Sequence, residues 1–367
     1  MIDARIERWA NVIVAYSLGV KPGDKVAIVG GVDAESLLRA IGQETLKAGA
    51  HPVIIPTLRG QQADLLAYGS DEQLSYISPL ESFARLEADC LAIVAADSNT
   101  RSLAEIDPAR QRVHRSARAN LGKQYMKRAS NGEMRWSLTM YPTDAYAQDA
   151  GMSTEAFAGF LFSACKLDQP DPAAAWRELS VEQQRLINWI TPRSTIHVEG
   201  PDTDLTVETG GRVWINSDGK RNFPSGEIFT GPIETSANGH IRFSFPVVTS
   251  GREIADIRLR FEDGLVVEAS AAKDEDYLLT MLDSDSGARR LGEFAFGTNF
   301  GITQFTKQIL LDEKIGGTIH IALGAGYPDS GSTNQSAIHW DMICDIRQGG
   351  TVTVDGDPFL VNGKYVV

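Results

Sequence analysis

The sequence predicts a mixed fold, an N-terminal α/β unit with a mostly parallel sheet followed by a β-rich unit of α+β type. Three observations carry this reading. Between residues 25 and 98 short continuous apolar runs alternate with helix-like stretches, and after Pro192 short strand-type runs separated by Gly, Asp and Asn take over. The length of 367 residues exceeds one ordinary core of roughly 150 residues and suits two. The expected division is 1–195 and 196–367. It rests on the change of composition alone, because no repeat, low-complexity linker or heptad run marks a boundary.

The runs at 25–29 (KVAIV), 52–55 (PVII) and 90–94 (CLAIV), with a helix expected over 33–48, read as βαβαβ. Their continuous apolar character is what strands buried on both faces require. Asp33 is expected to cap the helix and Gly49 to close it in the left-handed conformation. Gly30-Gly31 stands where a dinucleotide fold puts its phosphate loop, but the G-x-G-x-x-G spacing is absent, so a tight turn is expected instead. Residues 108–127, with Arg110, Arg112, Arg115, Arg118, Lys123 and Lys127, read either as a solvated helix or as a basic patch. A strand is expected over 136–141 and helices over 153–165 and 171–189, the first opened by Ser153 and Glu155. Strands follow at 195–198, 204–208, 212–215 and 241–245. Asn238-Gly239, Asp355-Gly356 and Asn362-Gly363 are hairpin signals.

Composition narrows the function. Hydrophobic residues at 43% and charged residues at 23% describe a globular chain. A formal net charge of −13 repels polyanions, which excludes the basic surface that nucleic-acid binding needs. Cys90, Cys165 and Cys344 are odd in number and far apart; they form neither a disulfide framework nor a zinc ribbon and fit a reducing compartment. No run approaches the roughly 18 uninterrupted apolar residues of a membrane span. The N-terminus carries Asp3, Arg5, Glu7 and Arg8 where a signal peptide would be apolar. The expectation is a cytoplasmic protein without membrane or nucleic-acid partners.

The chemistry concentrates in residues 316–347, which hold His320 and His339, two of the six histidines. His339 and Asp341, one residue apart in an expected strand over 337–343, leave the same face and make a two-ligand edge. His320 lies in a second expected strand, 318–323, and the loop between contains Gly324, Gly326, Tyr327 and Gly331, where backbone and phenol can approach an ion closely. Mixed nitrogen and oxygen donors suit zinc, cobalt, manganese or iron rather than calcium. The competing reading is a pair of hydrogen-bonded core histidines. Upstream, Glu227 stands in a turn-rich segment before an apolar strand and Glu293 lies among aromatics. Each is either exposed on a polar face or held ionised by a partner such as a metal ion.

The segments NFPSGEIFTGPIE, LGEFAFGTN and GGTIHIALGAGYPDSGSTNQSAIHWDM closely resemble the aminopeptidase T and aminopeptidase S family of dinuclear metallopeptidases. The likeness extends over 140–153 and 200–205 and covers most of the chain from about residue 135. The resemblance implies six metal ligands at Glu227, Glu293, His320, Tyr327, His339 and Asp341, holding two divalent ions of zinc, cobalt or manganese. It also implies an N-terminal α/β domain, a β-rich catalytic domain, a homodimer, and peptide substrates with a free N-terminus. In that mechanism the ions activate a water. Glu227 or Glu293 carries its proton to the leaving amine, and Tyr327 either ligates or donates to the oxyanion. Ring-opening dihydroxypyridine dioxygenases resemble the same fold and hold one non-haem iron, for which His320, His339 and Asp341 would nearly suffice. Glu227, Glu293 and Tyr327 would then have no task. A non-catalytic scaffold with a structural ion would need only about four ligands.

Overall fold

The apolar runs of the N-terminal part become strands shielded on both faces. β1 (Lys25–Gly31), β2 (His51–Thr57), β3 (Cys90–Ala95) and β4 (Arg135–Met140) pair in parallel in the order β2-β1-β3-β4. Val26, Ala27, Ile28, Cys90 and Val94 are fully or almost fully buried. The helix Glu35–Lys47 follows β1 and buries Leu37, Leu38 and Ile41. Gly49 closes it at φ +76°. Asp33 does not cap it: the cap position is Ala34, without a side-chain bond, and the Asp33 carboxylate instead pairs with Arg59. Gly30 and Gly31 belong to β1 rather than to a turn. A Cβ on Gly30 would lie 2.8 Å from the Val94 carbonyl oxygen, so the close approach of β3 is what requires glycine.

The basic stretch splits into the helices Pro108–Ala117 and Ala119–Ser130. Its arginines act as internal ties. Arg118 donates to Glu81 and to the carbonyls of Leu74 and Tyr76, and Arg110 donates to Leu66 and Gly69. They satisfy helix-end carbonyls that would otherwise lack partners.

The structure, a computed structural model, describes residues 3–249 and 252–367. Two compact units divide it: the chain through Ala174 with Gly219–Pro224, and Ala175–Asp218 with Ser225–Val367. This division comes earlier than the expected boundary near 195. The helix Pro172–Ile190 sends Leu186, Ile187 and Ile190 into the β-rich core, and composition does not reveal which core buries a helix.

The second unit opens with β5 (Thr195–Gly200), β6 (Thr203–Glu208) and β7 (Ile215–Ser217); β8 (Asn222–Phe223) returns to the first unit beside β4. There follow β9 (Glu227–Thr230), β10 (Asn238–Phe243), β11 (Val247–Thr249), β12 (Arg252–Ile254), β13 (Ile257–Glu262) and β14 (Leu265–Ser270). β15 (Leu291–Gly297), β16 (Ile319–Gly324), β17 (His339–Cys344), β18 (Thr351–Val354), β19 (Asp357–Val361) and β20 (Lys364–Tyr365) complete the chain. One antiparallel sheet runs β14-β13-β10-β6-β5-β18-β19-β20, a second β17-β16-β15-β9-β7, and β11 and β12 form a separate pair. The inner faces of the two large sheets share one core, with Val198, Leu205 and Phe261 from the first and Phe294, Phe296 and Ile321 from the second. Such face-to-face burial is the main stabilising term for stacked sheets.

Two hairpin signals form turns: Asp355 and Gly356 have φ +51° and +87°, and Asn362 and Gly363 +47° and +74°, the left-handed pairs that match strand twist. Asn238-Gly239 does not; both residues lie within β10, where Gly239 lets the Asp204 carbonyl approach. The run 212–215 is strand only from Ile215. Among the described residues no helix is long and apolar enough to cross a membrane.

Candidate metal centre

Strand alternation gathers five of the six expected ligands on one face of the β17-β16-β15-β9-β7 sheet. Opposed residues in antiparallel strands leave the same face. Glu293 opposes Ala322, and Ala322 opposes Asp341; His320 stands two residues before Ala322 and His339 two before Asp341. Glu227 opposes Gly297, which has the parity of Glu293. The opposite face carries Ile228, Phe294, Phe296, Ile319, Ile321 and Met342 into the core.

Glu293 reaches this face through an irregularity. Leu291 opposes Leu323 on the core face, and an unbroken register would place Glu293 opposite Ile321 on the same side. The register instead shifts between Leu291 and Glu293, and the extra residue, Gly292, turns the glutamate outward, as a β-bulge does. A Cβ on Gly292 would collide with the carbonyl oxygens of Gly324 and Ala325.

The side chains converge closely. His320 Nε2 is 3.3 Å from Glu293 Oε1 and 3.5 Å from Glu227 Oε2. His339 Nε2 is 3.5 Å from Glu293 Oε2 and 3.4 Å from Asp341 Oδ1. Glu293 thus presents one oxygen to each imidazole. Ligand atoms within 4.8 Å of one another form the groups Glu227–Glu293–His320 and Glu293–His339–Asp341, which share Glu293. His339 Nδ1 donates to the Ala325 carbonyl at 2.7 Å, which leaves Nε2 directed at the carboxylates in the manner of an oriented metal ligand.

Electrostatics fits cations. Glu227 and Glu293 are each 5% exposed and His320 1%. Burial raises the pKa of Glu293, although His320 acts against it. Burial opposes a charge on His320, but the hydrogen bond to Glu293 and the charge of Glu227 outweigh it and lift the imidazole to about 9. For His339 burial is likewise overcome, by Asp341 and Glu293, and its pKa rises to about 10. Burial would raise the Asp341 carboxyl, yet His339 and His320 hold it below the usual range. Glu227 Oε2 and His320 Nδ1 are buried without a hydrogen-bond partner. A polar cluster this buried is expensive unless paired, and its nitrogen and oxygen donors could hold a divalent metal ion.

Tyr327 stands at the edge of the cluster. It is 40% exposed, its ring meets His339 edge-on with centroids 5.1 Å apart and packs against Phe229. Partial desolvation and the charges of Glu293 and Asp341 push its pKa upward, so the phenol keeps its proton. The loop that carries it is anchored by Glu234, which accepts from the Thr333 backbone N–H at 2.7 Å and hydroxyl at 2.9 Å and pairs with Arg212 at 2.5 Å.

Two members of the cluster are not foreseen from the sequence. Glu313 forms a third group with His320 and Asp341, and burial lifts its carboxyl to about 7. Lys314 is fully buried, with Nζ 3.6 Å from Glu227 Oε1 and in contact with Glu313 Oε1. In the sequence they belong to an Asp-Glu-Lys run, and no local pattern separates such a run from solvated surface.

The chain matches the family description "Thermophilic metalloprotease (M29)" over residues 2–365. It is 27% identical to aminopeptidase 2 of Geobacillus stearothermophilus, covering 99% of this chain and 98% of that protein. It is 26% identical to aminopeptidase T of Thermus thermophilus, with the same coverage. Among solved structures, wild-type AmpT from Thermus thermophilus superposes with a TM-score of 0.86 at 23% identity, over 99% of each chain. A 2,5-dihydroxypyridine dioxygenase from Pseudomonas putida gives 0.62 at 13% identity, over 100% of this chain and 99% of that one, a likeness of fold.

Proposed function

The chain belongs to the thermophilic metalloprotease (M29) family, and on that premise we propose that it removes N-terminal residues from peptides with the help of two divalent ions. The observation that carries the two-ion reading is Glu293, with one oxygen toward His320 and the other toward His339. Glu227 and His320 would complete one site, His339 and Asp341 the other, with Tyr327 beside the second. Zinc, cobalt and manganese suit these donors. Such a pair of ions supplies polarisation of a carbonyl and a water acidified toward neutral pH.

The protein's own groups do the rest. The Ala325 carbonyl holds the His339 ring in one orientation. Glu293 turns one oxygen to each imidazole and Glu227 turns Oε2 to His320; either carboxylate is placed to carry the proton from water to the leaving amine. Tyr327, protonated, is suited to donate a hydrogen bond to the oxyanion of the tetrahedral intermediate. A homodimer in the cytoplasm is part of the proposal, the dimer supported by family membership and the compartment by three buried cysteines that form no disulfide. Light scattering of the purified chain tests the dimer.

The deciding experiment combines metal analysis with hydrolysis of leucine p-nitroanilide by protein reconstituted with zinc, cobalt or manganese. The expected result is about two ions per chain and cleavage that falls by roughly a thousandfold or more in Glu293→Ala. Tyr327→Phe should keep its metal and lose about a hundredfold in turnover; loss of metal instead would make Tyr327 a ligand. Oxygen uptake with a dihydroxypyridine and no anilide cleavage would replace the peptidase reading by the dioxygenase one.

A further inference from the structure

The ligand cluster contains a cation of its own. Lys314 has no exposed side-chain surface, and its Nζ contacts Glu313 Oε1 and lies 3.6 Å from Glu227 Oε1. Its backbone is fixed as well, since the Lys314 carbonyl accepts from Asn299 N–H at 3.0 Å, so the ammonium cannot swing to solvent without unpacking the segment. The two carboxylates it touches belong to different ligand groups, Glu227 to the group with Glu293 and His320, Glu313 to the group with His320 and Asp341. Among the described residues it makes no ion pair with the Glu293–His339–Asp341 group.

We propose that the Lys314 ammonium is a resident third cation of the centre, which makes the two divalent ions bind in order, tightly at Glu293–His339–Asp341 and weakly at Glu227–Glu293–His320. This rests on the two-ion reading above. A divalent ion at the Glu227 group shares a carboxylate with the ammonium and is repelled by it at short range in a site little screened by water, whereas an ion at the His339 group shares none. By engaging Glu313, the ammonium also keeps the Glu313–His320–Asp341 group from collecting an ion. Lys314 is in this sense a positioning residue: it sets the occupancy of the centre without touching substrate.

The test is zinc titration of the full chain after chelator dialysis, read by calorimetry and metal analysis. Wild-type protein is expected to show two classes of site separated by at least about tenfold in affinity. In Lys314→Met the weak class should tighten by about tenfold or more and the tight class stay within about threefold, whereas Lys314→Arg should keep the separation. An unchanged separation in Lys314→Met, or an equal shift of both classes, would overturn the proposal. If circular dichroism shows Lys314→Met unfolded, Glu313→Gln takes its place. There the ammonium loses one partner and turns wholly to Glu227, so the separation should widen, and an unchanged one overturns the proposal. Fewer than two ions in the wild type would sink the two-ion reading itself, before any variant is made.

Discussion

At the scale of single residues, the two imidazoles define the state in which the centre meets metal. His320 and His339, raised to about 9 and about 10 by the carboxylates around them, carry protons at neutral pH in the metal-free protein, whereas a metal takes the neutral ring. Ion binding near about pH 8 should therefore release about two protons per chain. Calorimetry in buffers of different ionisation enthalpy reads this directly. The release should fade as the pH passes about 10, where both rings are already neutral; a release independent of pH would remove the imidazoles from the ligand set. The sequence named both histidines, and Asp341 on the face of His339, because a two-residue spacing in a strand fixes the side. It was silent on Glu313 and Lys314, because a run of three charges looks the same on a surface as inside a centre that neutralises them.

At the scale of elements, the site depends on one bulge and one loop. The bulge at Gly292 brings Glu293 to the metal face, so Gly292→Ala forces a methyl onto the carbonyls of Gly324 and Ala325. It should cost about 1–3 kcal/mol, as overpacking does, and reduce the ions bound, measured by urea unfolding with metal analysis. A variant that keeps full metal content would show that the bulge is not what aims the glutamate. The loop after β16 depends on Glu234. Burial would raise this carboxyl, but the Thr333 N–H and hydroxyl and the Arg212 charge lower it from 4.5 to about 2. A depressed folded pKa stabilises fully above the unfolded value and is lost as pH falls through the folded one. Glu234→Gln should thus cost on the order of 2 kcal/mol at neutral pH. The difference from wild type should shrink between about pH 4.5 and about pH 2. Unfolding curves across that window test it.

At the scale of the whole molecule, the two units should answer differently to metal. In the proposed centre, an ion held only by the folded second unit would stabilise it by about 2.7 kcal/mol at a hundredfold excess over Kd, so chelation should lower its melting temperature by roughly 5–10 °C. Hydrogen exchange should then quicken in β15, β16 and β17 while β1 and β3 of the first unit keep their protection; uniform loss would mean that the ions act elsewhere. The order of the units, the parallel sheet, the β-rich half and two of three hairpin turns were legible in the sequence, since apolar periodicity and left-handed turn residues are local properties. The resemblance carried by their segments also singled out Glu227, Glu293, His320, His339 and Asp341, which the fold brings together. Tertiary structure alone decided which core takes the helix Pro172–Ile190, that Asp33 pairs with Arg59 rather than capping, that Asn238-Gly239 lies inside a strand, and that a buried lysine sits against Glu227 and Glu313. Each depends on what the fold brings opposite a residue from a distant part of the chain, and burial, register and charge pairing of that kind have no signature in neighbouring sequence.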